Sequence, residues 1–523
     1  MNATSILMII TLAAEVAAGL LVARYNLHMF QLMGYKNMEH VGWLKKNWKK
    51  QALLIPNLIL GLLALFLPSI PVYVILILMN LILCKYYGYL RKANTKKKLV
   101  YTMRVRRQVA TNAVINLLVL VLVGIFLDLK FLPGTFAILI SLQFCMLLVV
   151  NLINRPGELM ITNHFIHDAQ RMLKEVPGLT IIGVTGSFGK TSVKYYLQTL
   201  LQDHFNVLIT PESYNTPMGV VKTIRESLKS THEIFVCEMG ARHVGDIKEI
   251  CDIVHPDHGV ITSIGPQHLE TFFNMDNIVN TKYELADALP EDSMLFLNGD
   301  NDYVVGNANK YKNPIFYRSQ SQGEGYKASD ISLSQLGTEF VVTTPEGQSE
   351  KFQMRLVGEH NVINVVGAIA IAHKMGIDLK DLRVPVRRIQ PVAHRLQMIE
   401  RGNVTIIDDA YNSNPVGSKA AVETLAMFDG VRIMITPGMV ELGKEEEEYN
   451  YKFGGYAAKC CDYVLLVGKK HTEPIKKGLL DGGFPQEKCH VYDVLEDALS
   501  FAYSIKDEGH KFILLENDLP DNY

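Results

Sequence analysis

Residues 180–193, TIIGVTGSFGKTSV, hold the densest set of groups able to handle phosphate. The β-branched run Thr180, Ile181, Ile182 passes through Val184 into a turn bearing Gly186 and Gly189, and Lys190 and Thr191 open an amphipathic helix. Strand, glycine turn and helix in that order build an anion site. The glycines leave successive N–H groups facing one concavity, and the helix adds its positive end. Lys190 would neutralise outer phosphates and the Thr191 hydroxyl would join a Mg²⁺ shell, with Ser187 and Ser192 in the same nucleotide-binding set. The spacing departs from the strict pattern of such loops, because Val184 stands five positions before Gly189 where glycine is usual. The alternative is a glycine turn with an incidental lysine. The strand before and helix after favour a nucleotide site.

Further candidates sit where apolar runs end. Glu238 closes IFVCE and suits a Mg²⁺ ligand, and His268 follows GVITSI in the loop IGPQHLETF, as a metal or phosphate contact or a structural histidine. Asp408-Asp409-Ala410-Tyr411-Asn412-Ser413-Asn414-Pro415 closes another strand. Acids and amides before proline also describe a turn and helix cap, so a ligand role and a capping role both stand. Residues 438–448, GMVELGKEEEE, read as a solvated helix start and not as a site.

The elements that must position these groups follow from periodicity. From Leu179 onward, strands at Val207–Thr210, Ile234–Cys237, Gly259–Thr262 and Met294–Leu297 alternate with helices near Pro217–Leu228, Val244–Ile253 and Ile278–Leu289. Such alternation implies βαβ units around a parallel sheet, which offers ligand groups at its carboxyl ends. Residues 325–357 break the pattern with a β-hairpin around Pro345-Glu346-Gly347, and a helix follows at Asn361–Met375. After a linker near Val384–Pro391 the alternation resumes as a second, smaller α/β domain. A cleft between two such domains is a usual place for nucleotide and substrate.

The first part of the chain is different in kind. The mean hydropathy of +0.12 averages an apolar segment, residues 1–153, with an ordinary soluble remainder. Five spans are expected at 5–23, 52–67, 72–84, 109–127 and 131–153. The first lacks a basic leader and cleavage site, so it reads as an anchor. Glu15 within it is costly in lipid; snorkelling or pairing inside the bundle is one reading and a functional role the other. Basic residues fall in two loops: Arg24, Lys36, Lys45, Lys46, Lys49 and Lys50 in one, Lys85, Arg91, Lys92, Lys96, Lys97, Lys98, Arg104, Arg106 and Arg107 in the other. Both loops therefore face the cytoplasm, as does everything after Arg155. Trp43 and Trp48 read as interfacial anchors, with an anionic headgroup contact as the alternative. A net charge of −1 gives no argument for nucleic acid, and the seven cysteines include no C-x-x-C pair. Scattered thiols fit a reducing compartment.

TGSFGKT, SYNTPMGV, CEMGARHVGDI, HLETF, GEHNVINVVGAIA, AHRLQM, DDAYNSNP and TPGMVELG occur in an order that resembles the Mur ligase family, and the last two blocks resemble its MurF branch. The resemblance covers about residues 175–523. It implies a P-loop-type central domain at 155–385 and a Rossmann-like C-terminal domain at 386–523, after a helical membrane bundle at 1–154. It also implies ATP, two Mg²⁺ ions, and amide bond formation between a substrate carboxylate and an amine on a peptidoglycan-type precursor. In the family's terms, Gly186, Gly189, Lys190 and Thr191 are the phosphate loop, Glu238 and His268 the Mg²⁺-associated positions, and Asn215 the nucleotide-side asparagine. Lys282 matches a lysine that takes up CO₂ as a carbamate, although alone it reads as a helix-surface lysine. His360 and Asn361 match an adenine-contacting pair. Arg395 and Asp409 match residues holding ribose and phosphates, and Asn412 and Asn414 face the same cleft.

Two departures concern the substrate. About 25 residues, Arg155 to Gly178, separate the last span from the phosphate loop's domain, so the bundle stands where the family's uridine-binding domain should be. The close LLENDLPDNY lacks the basic, glycine-containing end expected of the MurF branch. The leading expectation is a multi-pass plasma-membrane ligase with cytoplasmic catalytic domains. It would take ATP, a carboxylate and an amine, and would meet membrane lipids. A polyglutamate-type membrane ligase and a non-catalytic nucleotide-binding scaffold are the alternatives. The glutaminase-partnered amidating branch is disfavoured, since no four-cysteine zinc insertion interrupts the central domain.

Overall fold

The computed structural model describes residues 3–92, 98–334, 337–411, 413–469, 471–507 and 509–518. Asn412, Lys96 and Lys97 lie outside the described residues. The chain divides into two compact units between Asn163 and His164, a little beyond the expected end of the bundle.

The first unit is helical: α1 (Ala3–Leu32), α2 (Asn37–Lys46), α3 (Leu54–Phe66), α4 (Ile70–Lys92), α5 (Met103–Phe126), α6 (Leu132–Ser141) and α7 (Gln143–Lys174), which runs on into the second unit. Among the described residues, five stretches are long and apolar enough to cross a membrane: Thr4–Leu32, Trp48–Phe66, Ile70–Arg91, Met103–Phe126 and Gln143–Lys174. The expected span 131–153 needs correction. The backbone breaks at Leu142, so the run becomes the short α6 followed by α7. An unbroken hydropathy profile carries no trace of such a break.

Small residues let α3 and α6 touch. A Cβ on Gly61 would stand 2.9 Å from the Gly134 carbonyl, and one on Gly134 2.8 Å from the Gly61 carbonyl, the close approach typical of packing in apolar bundles. Amides tie the same helices together, with Asn57 Nδ2 donating to Ala137 O at 3.0 Å and Ser141 Oγ at 2.9 Å. Asn26, Gln51 and Tyr87 form a second buried relay. Glu15 is neither snorkelled nor paired. It is fully buried, and among the described residues neither carboxyl oxygen has a hydrogen-bond partner. Trp43 is not an interfacial anchor either: it lies buried against His40 and Tyr25, whereas Trp48 is exposed.

Among the described residues, the second unit holds two sheets. The first has nine strands: β1 (Thr180–Thr185), β2 (Val207–Ile209), β3 (Ile234–Glu238), β4 (His258–Ile261), β5 (Leu295–Asn298), β6 (Ile315–Arg318), β7 (Tyr326–Ser334), β8 (Gly337–Thr343) and β9 (Ser349–Met354), in the order β2-β3-β1-β4-β5-β6-β7-β8-β9. The strands are parallel through β7, then β7, β8 and β9 form an antiparallel meander. The expected hairpin is thus its last pair. Side-chain alternation serves both faces. Ile182, Val184 and Val236 pack with α8 (Lys190–Leu201) and the helix Glu359–Lys374, while Ile181, Phe235 and Cys237 pack with α9 (Pro217–Ser227) and α10 (Asp246–Val254). The short α11 (Leu269–Phe272) and α12 (Met275–Asp287) follow β4.

The second sheet comprises β10 (Gln397–Arg401), β11 (Val404–Asp409), β12 (Val431–Thr436), β13 (Tyr463–Val467), β14 (Cys489–Tyr492) and β15 (Lys511–Glu516), in the order β10-β11-β15-β12-β13-β14. Only β10 runs antiparallel. The stretch expected as a linker near Val384–Pro391 contains the helix Arg383–Arg388, with Pro385 in its first turn, where a proline costs no hydrogen bond.

Candidate active site

The turn between β1 and α8 depends on its glycines at two points. Gly186 has φ 150° and Gly189 φ 80°. A Cβ on Gly186 would stand 2.1 Å from Thr262 Oγ1, and one on Gly189 2.6 Å from Asn364 Oδ1. The turn is fastened beneath: Ser187 N–H donates to Ser263 O at 2.6 Å, and its hydroxyl donates to Gly265 O at 3.0 Å. Lys190 Nζ curls over its own turn, donating to the carbonyls of Gly186 at 2.6 Å and Ser187 at 3.1 Å. Desolvation brings the Lys190 ammonium down to about 8, opposed by Glu238 and reinforced by Arg395. Ser192 follows in the first turn of α8, half-buried.

Glu238, at the carboxyl end of β3, gathers the strand ends. Its Oε1 accepts from Thr191 Oγ1 at 3.1 Å and Asn215 Nδ2 at 2.9 Å, and its Oε2 from Lys194 Nζ at 2.9 Å. Burial would raise the carboxyl; Lys194, Lys190 and these hydrogen bonds outweigh it and hold Glu238 below its ordinary value. Sequence reading missed Lys194. The signal was available, since it lies four residues after Lys190 and shares a helix face with Leu197 and Leu201. The Lys194–Glu238 pair is 0% and 1% exposed. Replacing Lys194 by Met strands the buried carboxylate, so a loss of about 3–5 kcal/mol is expected in chemical denaturation. An unchanged midpoint would show the pair to be dispensable.

Lys282 is not a surface lysine. It is 2% exposed on α12, and burial, with the Lys190 charge, pushes its ammonium well below the lysine range against Asp246 and Glu284. His268 adopts φ 52° and places Nδ1 in a short contact with Glu441 Oε2. Burial lowers the imidazole more than Glu441 raises it. The segment 438–448 therefore meets His268 through Glu441, and from Glu446 onward it is the expected helix.

From the second sheet, Arg395 lies over the Tyr411 ring at 4.4 Å. Asp409 accepts from Leu396 N–H at 3.2 Å, and burial brings its carboxyl up to about 7 although Arg395 opposes this. Asn361 is drawn into the core, accepting from Tyr196 Oη at 2.9 Å and donating to Val357 O at 2.8 Å. Its neighbour His360 is held neutral by burial, at about 4. Asn414 is a helix cap: its Oδ1 accepts from the N–H groups of Val416 at 3.1 Å and Gly417 at 2.8 Å. The capping reading of that block holds for this residue, and its oxygen is spent within the chain. Glu516 was missed altogether. It ends β15 opposite Asp409, bonds Ser413 and Thr436, and is lifted by burial to about 8.

Direct hydrogen bonds thus unite Thr191, Asn215, Lys194 and Glu238, with Lys190 on the adjoining turn. The hard oxygens of Thr191 and Glu238 fit a Mg²⁺ that takes its other ligands from phosphate and water. Among the described residues, no three His, Cys, Asp or Glu side chains converge to hold a metal by themselves.

Comparison with known proteins adds names to this arrangement. The Mur ligase middle domain matches residues 184–372, and the Mur ligase glutamate ligase domain residues 394–515. The UDP-N-acetylmuramoyl-tripeptide–D-alanyl-D-alanine ligase of Escherichia coli K12 is 28% identical over 334 residues, 61% of this chain and 73% of that enzyme. Its counterpart in Bacillus subtilis 168 is 31% identical over 309 residues, 58% of this chain and 65% of that enzyme. The chain therefore spans somewhat less than two thirds of the Bacillus enzyme and about three quarters of the Escherichia one. Among solved structures, MurF from Acinetobacter baumannii superposes with a TM-score of 0.63 at 25% identity, over 69% of this chain and 78% of that one.

Proposed function

The chain belongs to the Mur ligase family of ATP-dependent amide ligases, and on that premise we propose that it is a MurF-type ligase extending a peptidoglycan-type precursor at the cytoplasmic face of a membrane. The observation that carries this reading is the bonded group Thr191, Asn215 and Glu238 beside Lys190, at the carboxyl ends of β1 and β3. A substrate carboxylate oxygen attacks the γ-phosphorus of ATP and ADP leaves, giving an acyl phosphate. An amine then attacks the acyl carbon, and phosphate departs from the tetrahedral intermediate.

The obstacle is charge, since a carboxylate and a triphosphate repel. Lys190 and the N–H groups of the glycine turn are the chain's own answer, fixed before substrate arrives. Thr191 and Glu238 would hold Mg²⁺, which supplies further neutralisation of phosphate charge. Lys282, whose ammonium is pushed well below the lysine range by burial, would offer its amine lone pair to CO₂, and the resulting carbamate would provide two more oxygens.

Apolar helices precede the Mur ligase middle domain in this chain, and on that ground the acceptor is proposed to be lipid-linked. Basic loops on the cytoplasmic side attract a pyrophosphate headgroup, and confinement to the membrane plane raises its local concentration. A reporter fused after Tyr523 is expected to be active inside the cell; activity only outside would overturn the topology. In a phosphate-release assay, the full-length enzyme should turn over with D-alanyl-D-alanine and a lipid-linked stem peptide. A truncation starting near Arg155 should bind nucleotide but lose most of that turnover. If the truncated enzyme uses a UDP-linked peptide as well as the full-length protein does, the bundle is only a tether. No release with either acceptor would remove the ligase reading.

A further inference from the structure

Glu441, in the loop after β12, meets His268 with both backbones in the left-handed region, at φ 66° and 52°. A non-glycine residue there is strained and persists only where its surroundings impose it. Here the imposing bonds are visible. Met439 N–H donates to Asn450 Oδ1 at 2.8 Å, Asn450 Nδ2 returns to Met439 O at 2.9 Å, and Asn517 Nδ2 donates to Gly438 O at 2.5 Å. Leu442 is buried and anchors the far side of the loop.

From this mount Glu441 reaches segments belonging to the first sheet. Its Oε2 meets His268 Nδ1, its Oε1 lies 3.5 Å from Arg242 Nη2, and its carbonyl accepts from Glu270 N–H at 3.4 Å. One residue of the second sheet's loops thus grips the histidine loop by side chain and backbone together.

We infer that Glu441 is a positioning residue for His268, holding Nδ1 protonated and the ring fixed so that Nε2 keeps its lone pair for the reacting site. The inference rests on His268 acting in the proposed ligase reaction. A carboxylate accepting Nδ1–H fixes tautomer and orientation and makes the opposite nitrogen a better ligand. Arg242 Nη2 holds the other carboxylate oxygen, Oε1, which fixes the plane in which Oε2 meets the ring. Because Glu441 and His268 belong to different sheets, the ring is fixed only when the two lobes of this unit are together.

The test uses the full-length protein and the variants Glu441→Ala, Glu441→Gln and, as a control on the exposed side of the same loop, Lys444→Ala. Two quantities are read: kcat and KM for ATP-dependent phosphate release, and Mn²⁺ binding by electron paramagnetic resonance with a non-hydrolysable ATP analogue present. Glu441→Ala should lower kcat and Mn²⁺ affinity by about 10–100-fold, with KM for ATP little changed. Glu441→Gln, whose amide oxygen still accepts from Nδ1–H, should recover much of both, and Lys444→Ala should match wild type. Wild-type values in the alanine variant overturn the inference. So does a glutamine variant as poor as alanine with equal loss of thermal stability, because the contact is then only a structural latch. Failure of the ligase reading looks different: wild type releases no phosphate with any acceptor, while the Mn²⁺ measurement still decides whether Glu441 acts on His268.

Discussion

Lys190→Ala is expected to abolish ligation while leaving the fold intact. The ammonium's partners are two carbonyls of its own turn, Gly186 and Ser187, and the turn keeps its shape through other bonds. Ser187 and Thr262 hold it from below, and the glycines at positions 186 and 189 supply the conformation. What the variant loses is a positive charge fixed beside the phosphates before reaction begins. Removing one such preorganised group costs about 10²–10³ in kcat. Burial brings Lys190 down to about 8 in the chain without nucleotide; a triphosphate beside the amine favours its charged form, so binding should take up a proton around and above pH 8 and little at pH 7. Calorimetry in buffers of different ionisation enthalpy checks this, with proton uptake in wild type and less in Lys190→Ala. Near-normal turnover in the variant would rule out this turn as the catalytic site.

The sequence was legible wherever chemistry follows the chain locally. A β-branched run, a glycine turn and an amphipathic helix are contiguous, so the phosphate loop and its positive helix end could be read directly. The alternation of strands and helices likewise set the parallel sheet and put Glu238 at a strand end. Legibility failed where a partner is distant. Glu441 meets His268 across 173 positions, and nothing in GMVELGKEEEE marks a residue that will adopt a left-handed backbone. It also failed where one residue type serves two purposes. Asn361 and Asn414 carry amides suited to a nucleotide, yet one satisfies a buried tyrosine and the other caps a helix. In both cases the amide oxygen satisfies a group of the chain itself. The break at Leu142 was hidden for a third reason, because hydropathy does not register a helix end inside an apolar run.

Lys282→Ala is expected to be nearly inactive, by at least about 10²-fold if the residue supplies charge control at the phosphates. Burial shows why lysine is an expensive choice at this position. The side chain is 2% exposed, and both desolvation and the Lys190 charge disfavour its protonated form. A buried methionine would satisfy packing without that penalty, and the proposed reaction is what gives an amine a reason to be there. If it carries a carbamate, acetate or formate added to Lys282→Ala should restore part of the rate by replacing the lost oxygens, while leaving Lys190→Ala inactive. Stability gives an independent reading in CO₂-free buffer. The folded-state value lies below the unfolded one of about 10.4, so between them the unfolded chain binds more protons and stability rises with pH. Wild type should therefore gain stability relative to Lys282→Met as pH rises through that window, the variant being the more stable at its lower end. A difference that stays constant with pH would mean the amine is charged in the folded protein, and a charged amine cannot take up CO₂. Full activity in the alanine variant would remove Lys282 from the reaction altogether.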